Sequence, residues 1–391
     1  MELTGNETHG QSEEKIRYQA ELFSNRLAKQ YRQLRKWARK NRVSCYRLYD
    51  RDIPEIPLSC DLYTFLPPGT DDKLSAALFI KDEAEAISRN DAASAQILKD
   101  ELKRTYLHLY LYERPYDKPE DEEKKWLDAM ADSAAKTLGI ERGNVIIKTR
   151  KKQAGNDEGR QTQYEKIESG TQIRGLVQEQ GQIFTVNLSD YIDTGLFFDH
   201  RPLRNQIRMT CSGKSVLNLF CYTGSFSVYA AEGKAKRIES VDMSKTYLEW
   251  AEENMKLNGF NDENRYIFTR QDVNGFLNQK NAEVANAQGT NRFDIIILDP
   301  PTFSNSKRTD TVLDINRDWP SLVEKCLNIL TPRGILYFST NSRRLSFNEE
   351  LLPKSESGES LYTAEEITAK TIPEDYRNSK IHRAWKIERK S

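Results

Sequence analysis

The chain is poor in the residues that build redox and metal centres, with five cysteines and four histidines among 391 residues. No C-x-x-C pair occurs, and Cys45, Cys60, Cys211, Cys221 and Cys326 sit mostly in apolar company. That argues against a disulfide frame or a cysteine zinc site and for reduced, buried thiols in a cytoplasmic protein. His9, His108, His200 and His382 have no metal-like spacing to one another, so no metal is expected. No apolar run approaches the roughly 20 residues of a membrane-spanning helix, and no membrane association is expected. The opening residues, MELTGNETHGQSEEK, lack the basic and apolar regions of a signal peptide. A G-x-G-x-x-G turn is also missing, which removes the pyrophosphate cradle a nicotinamide oxidoreductase needs.

Net charge is absent only on average, because 59 Lys and Arg balance 59 Asp and Glu. Between Lys15 and Arg51 lie twelve basic residues, opposed by Glu21 and Asp50 alone. Such a block suits a polyanion, or else a solvated helix face. Its densest part, Arg32, Arg35, Lys36, Arg39, Lys40 and Arg42, supplies the candidate polyanion contacts.

With 37% hydrophobic and 30% charged residues, the chain has enough apolar material for two or three cores. We expect a basic helical arm over 1–45, a small mixed α/β domain over 46–185 with an insertion at 68–100, and a larger α/β domain over 186–391. The first eleven residues are polar and expected to be disordered, with one long helix from Ser12 to about Asn41. Strands are predicted at TYLHLYLYE and NVIIKTR, a helix over 119–138, and a hairpin over 174–186 turning at Glu179 to Gly181. KKQAGNDEGRQTQYEK is predicted as a basic loop or hairpin with Asn156 and Gly159 at its tip. From 216 to 339 strands and helices alternate at the pitch of a doubly wound parallel sheet. LYTAEEITAK is predicted as a helix and IHRAWKIER as a closing strand.

Three buried strands in this region end in polar groups. VLNLFCYTGSFSVY carries one turn glycine, Gly224; VDMS ends a strand in Asp242; and FDIIILDPP ends in Asp299, Pro300 and Pro301. Spacing and chemistry resemble a class I S-adenosylmethionine (SAM)-dependent methyltransferase, a Rossmann-like fold whose seven-stranded, mostly parallel sheet holds a ligand along its crest. One close backbone approach, at Gly224, suffices for a cofactor without phosphate. Asn218, Phe220, Tyr222, Thr223, Gly224 and Ser225 are then the expected seat of its methionine end. Asp242, followed by Met243, can accept both ribose hydroxyls, and Asp272 and Val273 can meet the adenine. Either Asp242 or Asp272 could instead be a helix N-cap. The paired prolines fix an extended ledge on which a planar base can lie, with Phe303 available to stack.

CYRLYDRDIPEI, DTGLFFDHRPLR, VLNLFCYTGSFSVYAA, LDPPTFSNSKR and IHRAW look like the guanine-7 methyltransferase half of the bifunctional bacterial RlmKL proteins. The resemblance covers nearly the whole chain but not the other half, with its THUMP domain, so a stand-alone RlmK-type enzyme is expected, with a separate RlmL-type methyltransferase as a candidate companion. It implies methylation of guanine N7 in 23S ribosomal RNA, free or in a large-subunit assembly intermediate, with SAM as donor. It also implies that the basic helix and the small α/β domain hold RNA, and that Asp199 and Arg201 lie close to the cofactor. Asp299 is the best catalytic candidate, with Pro300, Pro301 and Phe303 as the base platform. Two alternatives stand beside this: a cytosine-5 methyltransferase, which needs a thiolate, and a non-catalytic ribosome-assembly factor. Which guanine is modified, and how many subunits act together, is not legible in the sequence.

Overall fold

The computed structural model describes residues 5–89, 91–112, 119–149, 172–191, 193–286, 292–304 and 312–390, with side chains from residue 13 onward. The expected basic loop at 151–166 and the end of the LDPPTFSNSKR motif lie outside these residues. The chain forms two compact units, Met1–Thr194 and Gly195–Ser391.

The first unit opens with α1 (Gly5–Lys40), which begins ahead of the expected start at Ser12. Then come β1 (Cys45–Asp50), β2 (Leu58–Thr64), α2 (Lys73–Ser88), α3 (Ala92–Lys103), β3 (Thr105–Leu111), α4 (Glu120–Leu138), β4 (Val145–Thr149), β5 (Arg174–Glu179) and β6 (Gln182–Asn187). The first four strands make one sheet in sequence order, antiparallel except where β3 meets β4. Alternate residues of its central strands, Leu58, Cys60, Leu62, Leu107 and Leu109, share a core with Phe23, Leu27, Leu34 and Ala38 of α1 and with Trp126 and Met130 of α4. The Trp126 indole donates to Gln19 at 2.8 Å, which ties the two helices. The apolar stripe of α1 is thus part of this core, and its arginines and lysines occupy the remaining faces. The insertion expected at 68–100 contributes α2 and most of α3, each started by an aspartate capping box, at Asp72 and Asp91. Gln180 and Gly181, both with positive φ, make the two-residue turn between β5 and β6.

The second unit contains α5 (Arg201–Thr210), β7 (Ser215–Leu219), α6 (Ser225–Glu232), β8 (Arg237–Asp242), α7 (Lys245–Leu257), β9 (Tyr266–Arg270), α8 (Val273–Ala285), β10 (Phe293–Leu298), β11 (Phe303–Ser304), β12 (Leu313–Asp314), α9 (Ile315–Asn328), β13 (Leu330–Thr340), β14 (Tyr362–Glu366), α10 (Thr368–Thr371) and β15 (Arg383–Arg389). Seven strands form one sheet in the order β14-β15-β13-β10-β7-β8-β9. The five from β13 to β9 are parallel, and β15 runs against both its neighbours. Leu217, Leu219, Ile295, Ile296, Ile297 and Leu298 are fully buried, as strands covered on both faces must be.

One predicted element is corrected. LYTAEEITAK was expected as a helix, but Tyr362–Glu366 is strand β14 and only Thr368–Thr371 is helical. Alanine and glutamate favour helix locally, yet here five residues add to the β15 edge in antiparallel register from Tyr362↔Arg389 to Glu366↔Trp385. Tertiary pairing outweighs a propensity difference of a few tenths of a kcal/mol per residue.

Candidate functional site

Strand order reverses between β7 and β10, and at such a switch point the two following loops separate and leave a crevice at the carboxyl ends. The loop after β7 runs from Phe220 to Gly224. Gly224 has φ +73° and caps α6, and a Cβ there would sit 2.8 Å from the Cβ of Ala251 on α7. Phe220 (φ 55°) and Tyr222 (φ 51°) are also left-handed, although neither is glycine. Three left-handed residues within five mark a backbone held in shape by its surroundings, a feature that concentrates at ligand sites.

Those surroundings are identifiable. Thr223 donates its hydroxyl to the Gly195 carbonyl at 2.6 Å and accepts at its own carbonyl from Asn254 at 2.9 Å. Gly195 itself, φ +100°, lies so close to Trp250 that a Cβ would fall 2.3 Å from the indole. The predicted ligand Asn218 is buried, and its amide donates to Ser227, which in turn bonds Ser240. Its nitrogen therefore braces β7, α6 and β8 from below.

Asp242, at the end of β8, receives the amides of Tyr222 (3.1 Å) and Ser244 (2.8 Å), one on each oxygen. Burial raises its pKa from the ordinary aspartate value, and the amide hydrogen bonds oppose that rise. Ser244, not Asp242, caps α7. Asp272 does cap α8, accepting from Gly275 at 2.9 Å, and Val273 is buried in the adjacent core. Met243 is half-buried beside Asp242.

Across the crevice, Asp299 follows β10. Its Oδ1 accepts from Ser339 of the neighbouring strand β13 at 2.5 Å, and its Oδ2 lies 3.5 Å from the Nε2 of His200. Pro300 is buried and Pro301 half-buried, and Thr302 is tied to Asn341 at 2.6 Å. Half-buried Phe303 is held in register opposite Asp314.

The segment Phe198–His200 brings a further group. His200 stacks on His382, with ring centroids 4.5 Å apart and planes 16° from parallel. Asp199 sits 3.2 Å from His382 Nδ1 and 3.8 Å from His200 Nε2, and Thr371 sits 2.9 Å from His382 Nε2. Asp199, His200 and His382 offer ligand-type atoms within 4.8 Å of one another. Nearly parallel rings keep their in-plane lone pairs in separate planes, which do not converge on one ion, and both His382 nitrogens already face polar partners. The group is arranged as a hydrogen-bonded Thr371–His382–Asp199 series, with His200 stacked on His382 and facing the Asp199 and Asp299 carboxylates. Sequence spacing missed it because His200 and His382 lie far apart in the chain; only the fold of β15 joins them. Arg201, expected near the cofactor, is turned to Asp375 in a fully buried pair at 2.7 Å.

A family described as S-adenosylmethionine-dependent methyltransferase matches residues 147–373, more than half the chain. The chain belongs to that methyltransferase family. It is 39% identical over 369 residues to a ribosomal RNA large subunit methyltransferase K/L of Pseudomonas fluorescens, covering 94% of this chain and 40% of that protein. It is equally similar, 39% over 370 residues, to the protein of that name from Stutzerimonas stutzeri, covering 94% and 42%. The chain thus spans about two-fifths of the length of the curated relatives it matches. Among solved structures, a Streptococcus mutans protein described as a candidate SAM-dependent methyltransferase aligns with a TM-score of 0.61 at 19% identity, covering 94% of this chain and 81% of that one. At that identity the likeness concerns the fold, the class I methyltransferase fold of a mostly parallel seven-stranded sheet.

SAM is the cofactor of the family, and the donor set of this methyltransferase suits it. A single left-handed glycine replaces a glycine-rich phosphate cradle, and a desolvated carboxylate with lone pairs beyond those its two amides use stands at the end of the next strand.

Proposed function

We propose that the chain methylates N7 of a guanine in 23S ribosomal RNA, acting in the cytoplasm. SAM, when bound, supplies an electrophilic methyl group. The loop from Phe220 to Ser225 with Asn218, and Asp242 with Met243, would hold it, with Asp272 and Val273 at its adenine. The observation that carries the reading is Asp299: an acid on a proline ledge at the switch point, oriented by Ser339. Guanine N7 bears a lone pair and no proton, so alignment rather than a general base is required. Methylation makes the ring cationic, and an oriented carboxylate stabilises charge that grows only in the transition state. Phe303 would stack on the extruded base. In this reading Arg201 is scaffold, not ligand, because its guanidinium is desolvated against Asp375.

The thiol chemistry of a cytosine-5 enzyme finds little support. All five cysteines are buried, and burial pushes the thiols of Cys60, Cys211, Cys221 and Cys326 up, that of Cys211 to about 11. None of these four is a ready thiolate.

For RNA, α1 presents an exposed row, Lys29, Arg32, Lys36 and Lys40, at helical spacings of three and four. Among the described residues none of these four side chains pairs with an acid, whereas Arg26 pairs with Asp52 and Arg39 with Glu101. We assign this row to phosphate contacts, with Arg35 and Arg42 beside it.

The test is nucleoside mass spectrometry of 23S RNA incubated with the protein and methyl-labelled SAM. Labelled 7-methylguanosine is expected. Label in 5-methylcytidine, lost on replacing Cys221 or Cys326 by Ala, would favour the thiolate route, and label in neither would remove both.

A further inference from the structure

His200 is 6% exposed, and its Nδ1 is buried with no hydrogen-bond partner among the described residues. Its Nε2 faces two carboxylates, Asp299 at 3.5 Å and Asp199 at 3.8 Å. A ring in this setting has one favourable protonation state. A proton on Nδ1 would be an unsatisfied buried donor and would turn the Nε2 lone pair toward two anions. A proton on Nε2 alone directs the N–H at the two carboxylates and leaves no unsatisfied N–H at the buried Nδ1.

We propose that His200 is the positioning residue of the methyl-transfer site: as the neutral Nε2–H tautomer it orients the Asp299 carboxylate from the side opposite Ser339, so that the carboxylate meets the charge developing on the acceptor base. The proposal rests on the reading of Asp299 given above. His382 and Asp199 hold His200 in turn. His382 stacks beneath its ring, and Asp199 bridges the two imidazoles while Thr371 anchors the far nitrogen of His382. The series therefore runs from Thr371 of α10 through His382, just ahead of the closing strand β15, to the proposed catalytic ledge, entirely by side chains. Distances of 3.5 and 3.8 Å describe the ligand-free site, and catalytic hydrogen bonds commonly tighten when substrate binds.

Burial lowers the pKa of His200 from the ordinary histidine value, while Asp299 and Asp199 oppose that shift, and His382 and Arg204 add to it. The ring is accordingly neutral at neutral pH. Where it does gain a second proton, a cation appears beside Asp299 and cancels the field that the acceptor base would feel. The rate of methyl transfer then falls as pH drops through the lowered His200 pKa.

Two variants of the full chain separate this role from a structural one. Gln places an amide donor near the position of Nε2, and Asn places it near Nδ1. His200→Asn is expected to lower kcat by about 10–100-fold, the usual effect of losing an orienting partner, with the KM for SAM within about threefold of wild type. His200→Gln is expected to recover most of that loss and to flatten the acidic limb of the pH–rate profile, because an amide does not titrate. Equal kcat in both variants with the wild-type pH profile would overturn the proposal. So would parallel loss of activity and of calorimetric SAM binding in both, which would mark His200 as scaffold. Failure of the guanine-N7 reading shows separately: wild-type enzyme would then label a different nucleoside, and the His200 comparison is made on that product.

Discussion

The Asp242 carboxylate accepts the Tyr222 amide, so the acid that ends β8 and the left-handed turn after β7 form one unit. If Asp242 receives the cofactor ribose as proposed, cofactor affinity and loop shape are coupled at this residue. Asp242→Asn removes the charge that ribose hydroxyls would meet, and a hydrogen bond to a charged group contributes about 1.5–3 kcal/mol. SAM affinity measured by calorimetry should fall roughly 10–100-fold. Stability should move the other way. The folded-state pKa of Asp242 lies above its unfolded value, so its contribution to stability is fully present below the ordinary aspartate pKa and is lost as pH rises through the raised one. At neutral pH the buried charge is a liability that Asn relieves. The ligand-free Asn variant should melt above wild type at pH 7, with the gap closing in acid. A lower melting temperature at pH 7 would show that the amide bonds, not burial, dominate.

Three glycines give a graded test of backbone strain in the same unit. A Cβ added at Gly213 (φ +73°) would have nothing within 4 Å; at Gly224 (φ +73°) it would meet Ala251 at 2.8 Å; at Gly195 (φ +100°) it would meet Trp250 at 2.3 Å. Alanine at Gly213 bears only the left-handed cost, on the order of 1 kcal/mol. At Gly224 crowding against the α7 backbone is added, for about 1–3 kcal/mol and a weakened SAM complex. At Gly195 the Trp250 ring must move, and a loss of about 3 kcal/mol or more is expected in denaturant titration. The order Gly195, Gly224, Gly213 is the prediction.

Legibility followed the range of the interactions. The alternating strands and helices from β7 to β13 were readable because apolar runs ending in turns are local signals, and those expected there occur in the expected order. The positions of Gly224, Asp242 and Asp299 were readable because each ends a strand or the turn after it, at the carboxyl edge of a parallel sheet. The strand β14 was not, since its pairing with β15 is tertiary. Nor was the group around His200: His200 and Asp199 occur together in the sequence, but Asp299, Ser339, Thr371 and His382 reach them only through sheet order. Arg201 was expected near the cofactor by resemblance alone, and nothing in DHRPLR announces its buried pairing with Asp375.

That ion pair is itself testable. With both side chains at or below 2% exposure, Arg201 and Asp375 are a desolvated pair whose members depend on each other. Asp375→Ala should destabilise the unit by about 3–5 kcal/mol, because it leaves a buried guanidinium without its partner charge. Replacing both, as Arg201→Met with Asp375→Leu, should recover most of that loss. If the double variant retains SAM binding, Arg201 acts through packing; loss of binding in a variant of restored stability would return Arg201 to the cofactor.

The basic row on α1 makes a prediction independent of the methyltransferase chemistry. Lys29, Arg32, Lys36 and Lys40 are exposed and, among the described residues, make no ion pair with an acid, so replacing them removes charge without breaking a salt bridge. Each phosphate that is no longer neutralised should reduce the slope of log affinity against log salt by about 0.7–0.9, so changing all four to Gln should flatten it by roughly 3. Binding to a 23S RNA fragment should weaken most at low salt, while calorimetric SAM affinity stays at the wild-type value. Arg26→Gln and Arg39→Gln provide the contrast. Their charges are paired with Asp52 and Glu101, so they should change the salt slope little and cost stability instead. A slope that responds equally to both sets would mean that RNA meets the first unit somewhere other than this face of α1.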